Sequence, residues 1–179
     1  MNTKRLSILV SDSLGLVSAE LMADDSIDCL FVFAHGAGAG MNHPFMFKLS
    51  DALSALNTGT LRFNFPYMEK GGKRPDPPAI AEKTVNRAIE VAHNLLPGIP
   101  LLAGGKSFGG RMTSQALSRS PQPAVRGIVF VGFPLHAAGS PSTERAAHLT
   151  NIALPMLFLQ GTRDALSDIY LIQKVSESN

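Results

Sequence analysis

The stretch that decides the fold is Leu101-Leu102-Ala103-Gly104-Gly105-Lys106-Ser107-Phe108-Gly109-Gly110. A short apolar run leads into Gly-x-Ser-x-Gly, and a helix-capable stretch, 111–118, follows it. The pattern alone is common. Its position between a strand and a helix gives it meaning, because that is where a nucleophilic serine is displayed on a sharp, strained turn at the top of a parallel sheet. The two flanking glycines have a steric reason: a turn this tight leaves no room for Cβ atoms two residues to either side of the serine. Ser107 is therefore the expected nucleophile, and the Phe108 N–H one expected donor to an oxyanion. A plainer reading makes Ser107 only a helix cap. A phosphate-binding loop is excluded by the glycine order, and Gly-x-Gly-x-x-Gly is absent here.

Outward from this turn, short β-rich runs alternate with helical stretches, the signature of an α/β domain with a mostly parallel sheet. Leu6–Val10 and Val17–Met22, separated by Ser11–Gly15, predict an antiparallel hairpin. Leu30–Ala34 is a continuous apolar run, as in a strand buried on both faces. Residues 60–65, 100–104, 127–132 and 156–160 are the further strands. Pro44–Leu56 is expected to be a helix with Phe45, Phe47, Leu49, Leu53 and Leu56 inward, and Ala79–Leu96 a helix with Ile80, Val85, Ala88, Ile89, Ala92 and Leu95 inward. The segment 69–78, rich in Gly, Lys, Arg and Pro, reads as a loop.

Two more motifs complete a site. His35-Gly36-Ala37-Gly38-Ala39-Gly40 follows the run 30–34, where the second oxyanion donor is expected; Ala37 N–H is the candidate, with Gly36 beside it and His35 orienting the loop. A dinucleotide loop is disfavoured here, since no acidic residue lies about 20 positions on. Gln160-Gly161-Thr162-Arg163-Asp164 ends the last strand and makes Asp164 the expected acid, with a helix cap as its plainer reading. A serine hydroxyl needs a base. None of the five histidines, His35, His43, His93, His136 and His148, follows Asp164. His136, just beyond the strand 127–132, is the candidate substitute, with His43 behind it.

The bulk numbers fit one domain over 1–179. Of the 179 residues, 45% are hydrophobic and 17% charged, with a net charge of +2, too small to suggest nucleic acid or a membrane surface. No run reaches the ~20 apolar residues of a membrane span. One cysteine, Cys29, excludes an internal disulfide and reads as a buried thiol. The absence of a secretory h-region makes a cytoplasmic protein the expectation. No cofactor or metal is expected.

Together, Ala34-His35-Gly36-Ala37-Gly38 with Met41-Asn42-His43, Phe63-Asn64-Phe65-Pro66-Tyr67, Gly104–Met112, Gly132-Phe133-Pro134-Leu135-His136 and Leu159–Asp164 resemble the small α/β-hydrolases of the dienelactone-hydrolase-like group. The resemblance is greatest to compact bacterial proteins related to a subunit of an animal histone-acetyltransferase complex. It implies an α/β-hydrolase fold with helices on both faces of the sheet, Ser107 as nucleophile, Asp164 as acid, and a histidine on a loop after one further strand. That strand, loop and closing helix have no counterpart in the sequence, so the domain is expected to be C-terminally incomplete. The expected activity is hydrolysis of an ester, thioester or similar acyl bond of a small substrate. The alternative is a non-catalytic binding or scaffold protein of the same fold. A sheet ending at 156–160 would also expose an edge on which a second copy can pair.

Overall fold

The computed structural model describes residues 1–178. A seven-stranded sheet runs in the order β1-β2-β4-β3-β5-β6-β7. The hairpin of β1 (Asn2–Ser11) and β2 (Gly15–Ala23) is antiparallel, and β2 pairs antiparallel with β4 (Thr58–Phe63). From β4 onward, through β3 (Cys29–Ala34), β5 (Leu101–Lys106), β6 (Val125–Val131) and β7 (Met156–Leu159), every pairing is parallel. The hairpin strands are longer than the expected 6–10 and 17–22, because cross-strand pairing runs from Asn2↔Ala23 to the turn.

Period-two alternation divides the apolar residues between the faces. Leu30, Val32, Leu101, Ala103, Ile128 and Phe130 point to the face covered by α3 (Pro78–Leu95) and α4 (Phe108–Arg119), in the main core. Phe31 and Phe33 point the other way and pack with Met46 of α1 (Pro44–Ser54). The sheet thus carries helices on both faces. The stripe of α1 is not the expected one. Met46 and Ser50 are buried, whereas Phe45, Phe47 and Leu56 lie 38, 51 and 71% exposed. The helix is rotated so that Leu49 and Leu53 reach the sheet with Met46. On α3 the inward residues Val85, Ala88, Ile89 and Ala92 are buried as expected, but Leu95 is exposed at the fraying end.

Three elements have no counterpart in the sequence reading: the four-residue α2 (Pro66–Glu69), a 3₁₀ helix at Glu144–Asn151, and α5 (Ile169–Glu177). β4 ends at Phe63, short of the expected 60–65, and Pro66 instead occupies the first turn of a helix, which its fixed φ suits. Cys29 is half-buried, its thiol 3.7 Å from Thr58 Oγ1.

Candidate active site

Ser107 sits between β5 and α4 with φ 49° and ψ −112°, one of two non-glycine residues at positive φ among those described. Such backbone is held only when its surroundings over-determine it, and here they do. The Ser107 N–H donates to Val131 O at 3.1 Å, and its carbonyl accepts from Arg111 N–H at 3.1 Å. A Cβ on Gly105 would stand 2.4 Å from Ala34 O, and one on Gly109 2.5 Å from both Ala34 O and His35 O. The two glycines let the elbow close onto the end of β3. The helix begins at Phe108, earlier than the expected 111, so Ser107 is the residue before its first turn. The Phe108 N–H then belongs to the open, electropositive end of α4.

The loop after β3 consists of two successive turns, closed by Ala39 N–H to Gly36 O at 3.3 Å and His43 N–H to Gly40 O at 3.0 Å. Gly38 takes φ 71° at the third position of the first, which a type II turn requires of it. His35 is fully buried under this loop. Its Nε2 accepts from Phe65 N–H at 3.1 Å and its Nδ1–H donates to Gly36 O at 2.8 Å. Burial lowers its pKa to about 4, so the ring is neutral and both nitrogens serve the backbone. The Gly38 N–H donates to Tyr67 OH at 3.3 Å and the Met41 N–H to Asn64 Oδ1 at 2.9 Å. The Ala37 N–H has no acceptor among the described residues. Ala37, His43, Phe45, Lys106, Ser107 and Leu166 are among the residues lining a cleft of about 400 Å³. A concavity of about 450 Å³ beside His93 and Arg126 contains no member of the expected site.

Asp164 lies in the turn after β7. Its Oδ1 accepts from Leu166 N–H and its Oδ2 from Gln160 Nε2, each at 2.9 Å. Gln160 also accepts from Phe133 N–H at 2.8 Å, which ties the acid to the exit of β6. A Cβ on Gly132 would meet Lys106 Nζ at 3.3 Å and Asp164 Oδ2 at 3.7 Å, so acid and elbow share one neighbourhood. The cap of the following helix is Asp168, which accepts from Tyr170 and Leu171 N–H. Asp164 caps no helix; it closes its own turn.

The histidines are committed elsewhere. His136, the expected substitute base, is buried; its Nε2 accepts from Asp168 N–H and its Nδ1–H donates to Ala137 O, each at 2.8 Å. It holds the acid loop onto the segment after β6 and has no free lone pair. His148 is half-buried against Ser114 Oγ at 2.8 Å, with a pKa lowered to about 4 by burial and by Arg111 and Arg119. His93 is exposed on α3. His43 lines the cleft, but its Nδ1 accepts from Phe45 N–H at 3.2 Å as the cap of α1, which leaves the proton of the neutral ring on Nε2. In the sequence, Gln160, Asn64 and Tyr67 stand only as members of motifs, with no role of their own. Their one signal was polar side chains just past strand ends, where loops converge. No group of three or more potential metal ligands occurs among the described residues, and no described helix is long and apolar enough to cross a membrane.

A strained serine at a strand-to-helix elbow, a small-residue loop after the neighbouring strand and an aspartate past a later strand define a class of fold. The chain belongs to the family described as alpha/beta hydrolase domain, whose model matches residues 27–179. Similar solved structures include an alpha-beta serine hydrolase homologue from Coxiella burnetii, 20% identical, with TM-score 0.78, covering 99% of this chain and 82% of that one. A dienelactone hydrolase from Anabaena variabilis is 18% identical, with TM-score 0.78 and coverage of 99% and 81%. An esterase from Pyrococcus furiosus is 17% identical, with TM-score 0.80 and coverage of 99% and 77%. At these identities the likeness is one of fold.

Proposed function

We propose that the protein is a serine hydrolase acting on an ester or similar acyl bond of a small substrate, with Ser107 as nucleophile. The observation that carries this reading is the strained Ser107 at the start of α4, facing one cleft with Ala37. Ser107 Oγ attacks the acyl carbon, and the N–H groups of Ala37 and Phe108 receive the negative charge that develops on the carbonyl oxygen. The C–O bond to the alcohol breaks, the alcohol leaves with a proton, and water later releases the acid and restores Ser107. Asp164, steadied by Gln160, is the negative group on the leaving side. The cleft of about 400 Å³ suits a short acyl group.

No histidine among the described residues offers a free lone pair to Ser107, and the contribution these residues make to the reaction is the pair of oxyanion donors, Ala37 and Phe108 N–H. Hydrolases deprived of a triad member retain roughly 10³–10⁴-fold catalysis over water from such donors and from binding. The test is labelling by a fluorophosphonate, in which Ser107 Oγ displaces fluoride at phosphorus and loses its proton to water. Slow, stoichiometric labelling that disappears in Ser107→Ala is the expected result. Labelling that persists in the variant, or is absent from both, refutes the assignment. The same lack of a free base favours a second reading, a binding protein that keeps the fold; an unlabelled Ser107 that still binds small esters would establish it.

A further inference from the structure

We propose that the buried Glu20–Arg62 pair positions the oxyanion loop, making Arg62 a positioning residue and the N-terminal hairpin part of the site's support. This rests on the reading of Ser107 and Ala37 given above. Arg62 lies on β4 opposite Phe33, at a position where the alternation calls for an apolar side chain. It is 2% exposed, and Glu20, its cross-strand partner on β2, is 7% exposed. The Arg62 Nη2 donates to Glu20 Oε1. Its Nη1 donates to the Met41 carbonyl at 3.1 Å, and its Nε is buried with no acceptor in the described chain. A buried ion pair pays heavily in desolvation and is a poor source of net stability. Its placement therefore asks for another reason.

The loop supplies one. Gly36-Ala37-Gly38-Ala39-Gly40 has no side chain larger than a methyl group, so apart from its turn-closing backbone bonds nothing of its own braces it. Besides the His35 Nδ1–H that donates to Gly36 O, three side chains from β4 and the stretch after it hold it. Tyr67 OH accepts the Gly38 N–H, Asn64 Oδ1 accepts the Met41 N–H, and Arg62 donates to the Met41 carbonyl. Arg62 is the one donor and the one charge of the three. With Asn64 it grips both polar groups of Met41, at the second position of the second turn. Glu20 neutralises Arg62 and aims it, while Arg5 Nε stands 3.6 Å from the other Glu20 oxygen.

The experiment is the double variant Glu20→Leu/Arg62→Met, which removes both buried charges and leaves no buried one unpaired, Arg5 being exposed to solvent. It is expected to melt within a few degrees of wild type. Its amide exchange at Gly38 and Met41 should accelerate at least tenfold while Phe33 is unchanged, and its fluorophosphonate labelling of Ser107 should slow at least tenfold. Arg62→Lys, which keeps a charged donor beside Glu20, should recover part of both. Wild-type exchange or wild-type labelling in the double variant overturns the proposal. If the wild-type protein itself does not label, the nucleophile reading has failed; the exchange at Gly38 and Met41 then decides the positioning role alone.

Discussion

The two sides of the site are built by different means. On the central side, Ser107 and the loop after Ala34 emerge from β5 and β3, each with a strand on both sides. The Ser107 elbow is fixed backbone to backbone: Gly105 and Gly109 press on Ala34 and His35, and Ser107 N–H reaches Val131 O. On the peripheral side, Asp164 follows the edge strand β7, four residues long, whose Leu157 and Leu159 are 52 and 49% exposed. There the carboxylate is held by one side-chain amide and one N–H of its own turn. The geometry of Ser107 is thus a property of the packed sheet, while that of Asp164 is a property of a solvated turn. Damage at the centre should appear as lost stability, and change at the edge as altered association.

The largest expected effect tests the centre. Gly105→Ala and Gly109→Ala each drive a methyl group into carbonyl oxygens that cannot swing away, and overpacking of this kind costs about 3 kcal/mol or more. Gly161→Ala, at the end of β7, meets nothing within 4 Å and is expected to stay within ~0.5 kcal/mol of wild type. Urea midpoints measure all three. Equal losses at Gly109 and Gly161 would mean that the elbow is no more tightly packed than the turn after β7.

The same division explains what could be read in the sequence. The elbow was legible because backbone geometry restricts residue type: only glycine fits at 105 and 109, and a strand and a helix flank them. The parallel strands were legible because burial on both faces demands apolar runs such as Leu30–Ala34. The support around the site was not. Arg62, Asn64 and Tyr67 act across 21 to 29 residues of chain, and no local pattern marks a side chain that caps a distant carbonyl or N–H. The rotation of α1 was hidden because Phe45 and Phe47 satisfy helical spacing as well as Met46 does, and only the sheet chooses between them. His136 drew notice as a base because its place past β6 is right; its two backbone bonds come from Asp168 and Ala137, and Asp168 is remote in sequence.

A second prediction concerns pH and the centre again. The His35 pKa is lowered by burial from 6.5 to about 4, so between these values the unfolded chain takes up a proton that the folded one refuses. Stability from this group is complete above pH 6.5, falls as the pH drops toward 4, and is gone below it. The loss is on the order of 3 kcal/mol at most. Protonation also removes the lone pair that accepts the Phe65 N–H, which loosens the end of β4. Denaturant melts between pH 7 and 4 should show this slope, and His35→Gln should flatten most of it. His148, shifted the same way but half-exposed, leaves a smaller residue.

The smallest effect on stability is expected at the edge. By the parallel register, Leu157 and Leu159 sit beside Val129 and Val131, on the face that α1 covers farther in. They are exposed because nothing among the described residues packs over that end of the sheet. Among the described residues no strand pairs with the outer side of β7, and such an edge pairs readily with another chain. We expect the protein to self-associate at tens of micromolar in sedimentation, and Leu157→Lys/Leu159→Lys to sediment as a monomer. Charge on an edge strand is the usual device against pairing, and surface changes of this kind move stability by ~0.5 kcal/mol or less. If the variant instead unfolds, the leucines belong to a core and the edge is not peripheral. If the wild type is monomeric throughout, β7 is too short to recruit a partner, and the contrast with the centre is one of packing alone.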